Sequence, residues 1–305
     1  MKILVTGGAG FIGSHLCKDL LEKSHEVICV DNLMSGNKKN IDRILENPRF
    51  TFIKQDICDP LDVECDQIYN LACPASPVFY QNNPLETMFA CSVGVLNMLE
   101  LARKNNASFL HTSTSEVYGN PLQHPQKESY WGNVNPVGPR SCYDEGKRYA
   151  EALIYTYNQK HNLGAKIVRI FNTYGPNMRS DDGRVTPNFI KQALKDESIT
   201  VYGNGNQTRS FCFVSDMVAG LEKMMESNHE GPINLGNSEE YTVNELALKI
   251  IGLTNSKSQI VYKNLPVDDP IKRKPDITKA KNLLGWEPKV KLEEGLIETI
   301  DYFNV

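Results

Sequence analysis

The chain has 305 residues, 40% hydrophobic and 23% charged, with a formal net charge of −4. That balance suits a globular protein with a sizeable core, built as one large unit or two smaller ones, and its slight acidity argues against a nucleic-acid binder, which carries a basic patch. No stretch approaches the ~18 consecutive apolar residues of a bilayer span, and eight scattered cysteines without a CxxC or CxxH pair argue against zinc and for reduced thiols in a cytoplasmic protein.

KILVTG (2–7) reads as a strand buried on both faces and ending in glycine, with no signal peptide expected ahead of it. A helix-like stretch, FIGSHLCKDLLEK (11–23), follows, then strands at EVICVD (26–31), FTFIKQD (50–56) and DQIYNLA (66–72). PLETMFACSVGVLNMLELARKN (84–105) has helical periodicity, with Pro84 suited to its first turn. ASFLHTS (107–113) is a fifth strand, YDEGKRYAEALIYTYNQKH (143–161) a long helix and AKIVRIFN (165–172) a sixth strand. Strands alternating with helices predict an α/β fold, a doubly wound parallel sheet over 1–172. Beyond 172 the segments shorten, and Gly and Asn cluster in VYGNGNQTRS (201–210). This predicts a smaller α+β C-terminal substrate domain over 173–211 and 237–305, with the chain returning to the first domain near 212–236.

TGGAGFIG (6–13) sits between the first strand and the first helix. Gly8, Gly10 and Gly13 fit GxGxxG, while Gly7, Gly10 and Gly13 fit GxxGxxG. Such glycines permit a tight turn and close approach to a pyrophosphate, which the helix N-terminus then faces. The strand before, the helix after and Asp31 at the end of the second strand together predict a Rossmann-type dinucleotide site. An acid at Asp31 suits the ribose hydroxyls of NAD and repels the extra phosphate of NADP. Asp56 suits either the adenine end or a turn cap. Phe11, Ile12, Asn32, Ile57 and Leu71 flank these positions and, with Tyr143 and Lys147, complete the expected NAD-binding set.

Tyr143 and Lys147 are four apart on one helix face. A free Tyr, with a pKa of about 10, is a poor base at neutral pH, but a nearby ammonium favours its phenolate. Thr114, ending the fifth strand, supplies a hydroxyl for the same substrate oxygen, and the three beside a nicotinamide make a carbinol-oxidising site. The same strand end, TSTSEVYGN (112–120), carries Ser115 and one acid, Glu116. Residue types alone fit both an acid held in a polar turn and a proton carrier.

TGGAGFIGSH, the Thr-bearing strand end and YxxxK together resemble the extended short-chain dehydrogenase/reductase family. Longer segments carry the likeness to its nucleotide-sugar enzymes over nearly the whole chain: LACPASP (71–77), TSTSEVYG (112–119), YWGNVNPVGPRSCYDEGKR (130–148), RIFNTYGP (169–176), DDGRV (181–185), VYGNGNQTRSF (201–211) and KRKPDITKAKNLLGWEP (272–288). In the family's 4,6-dehydratases an Asp stands where this chain has Ser115, and its 4-epimerases generally lack the Glu. Glu116 preceded by Ser resembles the branch that decarboxylates UDP-glucuronate.

The resemblance implies Tyr143 as base at the sugar 4-hydroxyl, NAD as hydride acceptor, a 4-ketone β to the C6 carboxylate, and Glu116 as proton relay to C5. It also implies an active-site role for Arg273. Arg184, Arg209, Asn172 and Tyr202 are expected at the nucleotide end of the substrate, where phosphate charge calls for Arg. Tyr80 and residues 74–77 are expected near the sugar. Asn177, in GPNM (175–178), stands where the family often has Arg, with Arg179 close by. His111 and His124 are expected to be structural, and a homodimer is implied through helices 84–105 and 143–161. Release of a 4-keto pentose, 4-epimerisation and NAD sensing without turnover remain as alternatives.

Overall fold

Ile3, Leu4 and Val5 have no exposed surface, as a strand covered on both faces requires. The computed structural model, which describes residues 1–268, 270 and 272–304, places this strand in the interior of a parallel sheet. In chain order the first elements are β1 (Lys2–Thr6), α1 (Phe11–Glu22), β2 (Glu26–Val30), β3 (Phe50–Ile53), β4 (Gln67–Asn70), α2 (Pro77–Asn82), α3 (Pro84–Phe89), α4 (Val95–Asn105), β5 (Ser108–Thr114), α5 (Ser141–His161) and β6 (Lys166–Ile170). Shorter elements follow: β7 (Thr173–Tyr174), α6 (Val185–Leu194), β8 (Ile199–Tyr202), β9 (Thr208–Ser210), β10 (Cys212–Phe213), α7 (Val214–Glu226), β11 (Ile233–Leu235), β12 (Glu240–Thr242), α8 (Val243–Thr254), β13 (Ile260–Lys263), β14 (Lys272–Arg273), α9 (Thr278–Leu284) and α10 (Leu292–Phe303).

The main sheet runs β11-β6-β5-β4-β1-β2-β3, and every pair in it is parallel. The chain reverses its winding between β1 and β4, and ligands of such sheets bind beyond the carboxyl ends at that switch point. There the Thr6 hydroxyl donates to Asn70 Oδ1 across 2.7 Å, joining the two strands where the cleft opens. Leu16, Leu20 and Leu21 of α1, with Met217 and Leu221 of α7, cover one face of the sheet. Met98 and Leu99 of α4, with Ala150 and Ile154 of α5, cover the other.

The predicted 84–105 helix is α3 and α4 joined by a π-helical turn, Ala90–Gly94. By length and composition it is apolar enough to cross a bilayer, which corrects the expectation of no such stretch; half of its apolar window is buried within the fold. Three strands end sooner than their apolar runs suggest, at Ile53, Asn70 and Ile170. Just beyond, the backbone N–H groups of Gln55, Leu71 and Phe171 still donate to the carbonyls of Asp31, Thr6 and Leu235, and these residues line the cleft. β11 extends the main sheet beside β6, while β12, β9 and β14 form a separate sheet over the cleft.

Candidate active site

A cleft of about 610 Å³ runs across the carboxyl ends of the parallel strands. Gly7, Gly10 and Gly13 line it. Gly7 has φ +70, and a Cβ on Gly13 would stand 2.2 Å from the Gly7 carbonyl oxygen, so this turn exists only without side chains. Gly8 is a correction. It does not line the cleft, and a Cβ there would lie 2.5 Å from Cys29 Sγ. Its small size serves core packing, and the cleft-facing glycines follow GxxGxxG.

Phe11, Ile12, Asn32, Ile57 and Leu71 all line the cleft, as do Asp31 and Asp56. Asp31 accepts from the backbone N–H of Ala9 at 3.0 Å and of Leu33 at 2.8 Å, so it braces the glycine turn while facing the cleft. Burial raises its pKa, and these two bonds oppose the rise. Asp56 caps the next turn through Cys58 N–H at 2.8 Å and receives Asn32 Nδ2 at 2.7 Å. A cradle that any Cβ would fill, a carboxylate beside it and the uncapped N-terminus of α1 fit a dinucleotide's pyrophosphate and ribose.

The hydroxyl–Tyr–Lys group converges at the far side of the cleft. β5 ends on Thr114, whose hydroxyl pulls the Tyr143 pKa down against burial and accepts the Glu116 N–H at 3.2 Å. Tyr143, in the first turn of α5, lies flat against Tyr80, ring centroids 5.0 Å apart and planes 4° apart. Lys147 is buried, and its ammonium donates to the Thr112 carbonyl at 2.7 Å. Burial, with the neighbouring Cys73, drives the Tyr143 pKa well above the ordinary phenol value. The Lys147 charge is held on that carbonyl, and in the protein by itself desolvation is the larger effect on the phenol.

Glu116 occupies a 3₁₀ turn, Ser115–Tyr118, directly after β5. Arg140 Nη2 donates to its Oε2 at 2.5 Å, and Arg273 Nη1 stands 3.2 Å from its Oε1. Burial opposes the charge, but Arg273 and Arg140 prevail and hold the carboxyl at about 2. Glu116 is thus a permanent counter-ion between two guanidiniums, and in this arrangement a weak proton acceptor at neutral pH. Ser115, Arg140 and Glu116 line the cleft, whereas Arg273 stands behind them, almost wholly buried.

Register explains Arg273. It pairs with Arg209 where β14 meets β9, and Arg209 lines the cleft and adds to the positive field on Glu116. Asn172, Arg184 and Tyr202 line the same cleft. Arg184 is held by Asp182, with Nη2 to Oδ2 at 2.7 Å. Asn177 adopts φ +67, and its amide donates to Ser14 Oγ at 3.0 Å, which ties its loop to α1. Arg179 pairs with Asp181 at 2.8 Å and lies over the Phe79 ring. His111 is buried against Asn70, and its pKa falls well below the ordinary value through burial and Lys147.

Two residues escaped the sequence reading. Arg140 ends the loop before α5, and Asp144, one turn on, lies with Oδ2 3.9 Å from Arg140 Nε. Burial and then the charge of Glu116 push the Asp144 carboxyl up to about 7. The spacing of Arg140 and Asp144 about Tyr143 was the available signal.

A family model described as GDP-mannose 4,6 dehydratase matches residues 4–299. UDP-glucuronic acid decarboxylase 5 of Arabidopsis thaliana is 58% identical over 298 residues, covering 97% of this chain and 87% of that protein. Among solved structures, a Thermotoga maritima UDP-glucose 4-epimerase with UDP-glucose superposes with TM-score 0.90 at 32% identity, covering 99% of this chain and 98% of that one. A Bacillus cereus UDP-glucuronic acid 4-epimerase in complex with UDP-glucuronic acid and NAD superposes with TM-score 0.88 at 30% identity, with the same coverage.

Proposed function

The chain belongs to the family described as GDP-mannose 4,6 dehydratases and, within it, to the UDP-glucuronic acid decarboxylases, and on that premise we infer that it is an NAD-dependent enzyme converting UDP-glucuronate to UDP-xylose and carbon dioxide. The observation that carries the reading is one acid after β5, Glu116, clamped by Arg140 and Arg273 beside the Thr114–Tyr143 pair.

Gly7, Gly10, Gly13 and Asp31 hold NAD. When bound there, NAD supplies the hydride acceptor at the sugar C4 and the same hydride for the final reduction. Thr114 orients the 4-hydroxyl, and Tyr143, once the positive charge of Lys147 and of a bound NAD offsets burial and leaves it as phenolate, takes the hydroxyl's proton at the phenolic oxygen, where general-base assistance is typically worth ~10²–10⁴ in rate. The 4-ketone so formed is β to the C6 carboxylate. The C5–C6 bond then breaks, its electron pair passing into the C4–C5 enolate as carbon dioxide leaves. No acid is needed to expel a hydroxyl, which accords with Ser115 standing where a dehydratase has Asp.

Arg140, which lines the cleft beside Glu116, serves two carboxylates in turn. When the sugar carboxylate enters, it competes with Glu116 for this guanidinium, and a Glu116 that loses it regains proton affinity. It then relays a proton to C5, directly or through water. Arg184, Arg209, Asn172 and Tyr202 hold the nucleotide diphosphate end.

The working unit is a homodimer. Leu85, Phe89, Val93 and Leu96 of the 84–105 helix, with Tyr149 and Tyr155 of α5, expose large apolar surface, and α3 packs beside α5. Two such helix pairs facing one another make a four-helix interface. NMR of the sugar product from UDP-glucuronate tests the function. UDP-xylose supports it, and a 4-keto pentose or a 4-epimer assigns the chain to one of the alternatives.

A further inference from the structure

Cys73 lies in the cleft wall between β4 and α2 and is half-buried. Its Sγ is 3.5 Å from that of Cys91, which is buried in the π-helical turn between α3 and α4. On the far side of Cys91, α5 approaches closely enough that a Cβ on Gly146 would stand 3.3 Å from the Cys91 sulfur. The next residue of that helix is Lys147. The hydrogen bond from the Cys91 thiol, and then the charge of Lys147, bring the Cys73 thiol down to about 7 against the effect of burial, while the Cys91 thiol is pushed up. One sulfur that ionises readily belongs to a residue of the cleft wall, and one that keeps its proton lies buried beside it. An attacking and a resolving cysteine have these properties. Contact alone does not select the pair: Cys17 and Cys29 also lie together, but neither has exposed surface.

We propose that Cys73 and Cys91 form a peroxide-sensitive modification site in the wall of the active cleft. The Cys73 thiolate attacks a hydroperoxide. An S–O bond forms, the O–O bond breaks, and the departing oxygen leaves as water or alcohol after taking a proton. The Cys91 sulfur then attacks the sulfenic sulfur and expels hydroxide, which takes the Cys91 proton to give a second water. Two thiols are oxidised by two electrons, and the peroxide is reduced by two. The sulfurs must close from 3.5 Å to the disulfide length of about 2.05 Å. That draws the cleft wall toward the π-helical turn packed against α5, the helix that carries Tyr143 and Lys147, and turnover falls.

The test treats the reduced, full-length protein with hydrogen peroxide, alkylates the remaining thiols and maps peptides by mass spectrometry. The expected product is a Cys73–Cys91 cross-link with an intact-mass loss of about 2 Da, with turnover of UDP-glucuronate falling about tenfold or more and returning on treatment with dithiothreitol. Cys91→Ala, and Cys91→Ser as a more conservative variant, keep their rate before oxidation. After peroxide they carry Cys73 as a sulfinic acid, about 32 Da heavier, which dithiothreitol does not reverse. The peptide readout holds whatever the substrate. A reduced Cys73 after treatment, a disulfide through Cys142 or another cysteine, or cross-linked protein that turns over at the reduced rate would each overturn the proposal.

Discussion

Glu116 and Arg273 are 157 residues apart in the chain and meet in two contacts of 3.2 and 3.3 Å. Glu116 sits in the turn directly after β5 of the main sheet and Arg273 in β14 of the small sheet, so this ion pair joins the two. Its geometry suits an acid whose charge is a fixed resource until a competing carboxylate arrives. Glu116→Gln removes that charge. Turnover should fall by about 10²–10⁴, with the 4-keto intermediate accumulating in a chemical-quench time course. Because the Glu116 pKa is lowered to about 2, its stabilising effect is full above about 4.5 and is lost as pH falls toward 2. The stability gap between wild type and variant should therefore narrow in acid. Unchanged turnover would reduce Glu116 to a purely structural counter-ion.

Tyr143→Phe deletes one hydroxyl and keeps the ring stacked on Tyr80. Turnover should drop by at least about 10³, while stability changes by no more than about 1 kcal/mol, the scale of a single hydrogen bond. A variant with most of its activity would assign the base elsewhere.

Asp31 does two jobs, and Asp31→Ala separates them. The carboxylate accepts from Ala9 and Leu33, so its loss loosens the glycine turn as well as removing the ribose acceptor. NAD affinity should weaken by about tenfold or more, and the preference for NAD over NADP should shrink. Fluorescence titration with both cofactors measures this, and equal weakening for the two would leave Asp31 as a brace for the turn alone.

The sheet was legible because a strand covered on both faces must be apolar through its middle, as Ile3, Leu4 and Val5 of β1 are, and because the glycine turn permits few alternatives. Thr114, Tyr143 and Lys147 were legible for a related reason: strand end and helix start each fix a side-chain direction. The Arg140–Glu116–Arg273–Asp144 cluster was not. It joins three segments through β14, a strand of two residues, too short to show any periodicity. Arg273 alone reads as part of a solvated charge run, and only its pairing with Arg209 carries it inward. The π-helical turn was hidden too, because one extra residue per turn leaves the apolar pattern of 84–105 almost unchanged.

Phe89→Asp tests the proposed dimer. Phe89 is exposed in the single chain, so an acid there should cost the fold little and oppose the burial of an apolar face. Sedimentation should show the wild type at twice the chain mass and the variant at one. Wild-type chains that sediment as monomers would remove the four-helix interface.

Asp144 makes a prediction about pH. It is buried, with its Oδ2 3.9 Å from Arg140 Nε, and burial followed by the charge of Glu116 pushes it to about 7. An unfolded Asp titrates near 3.9. Between that value and about 7 the folded chain keeps a proton that the unfolded chain has already released. Stability therefore falls as pH rises through this window and levels off above it. Asp144→Asn replaces the carboxyl with a permanently neutral group of similar shape. Wild type and variant should melt together near pH 4 and separate as pH rises, with the variant higher by about 2–5 °C at pH 8. Glu222, between α1 and α7, is also raised to about 7 and is present in both proteins, so the variant should retain part of the slope. Parallel melting curves across the range would mean that Asp144 is already ionised in the fold, with Arg140 outweighing burial.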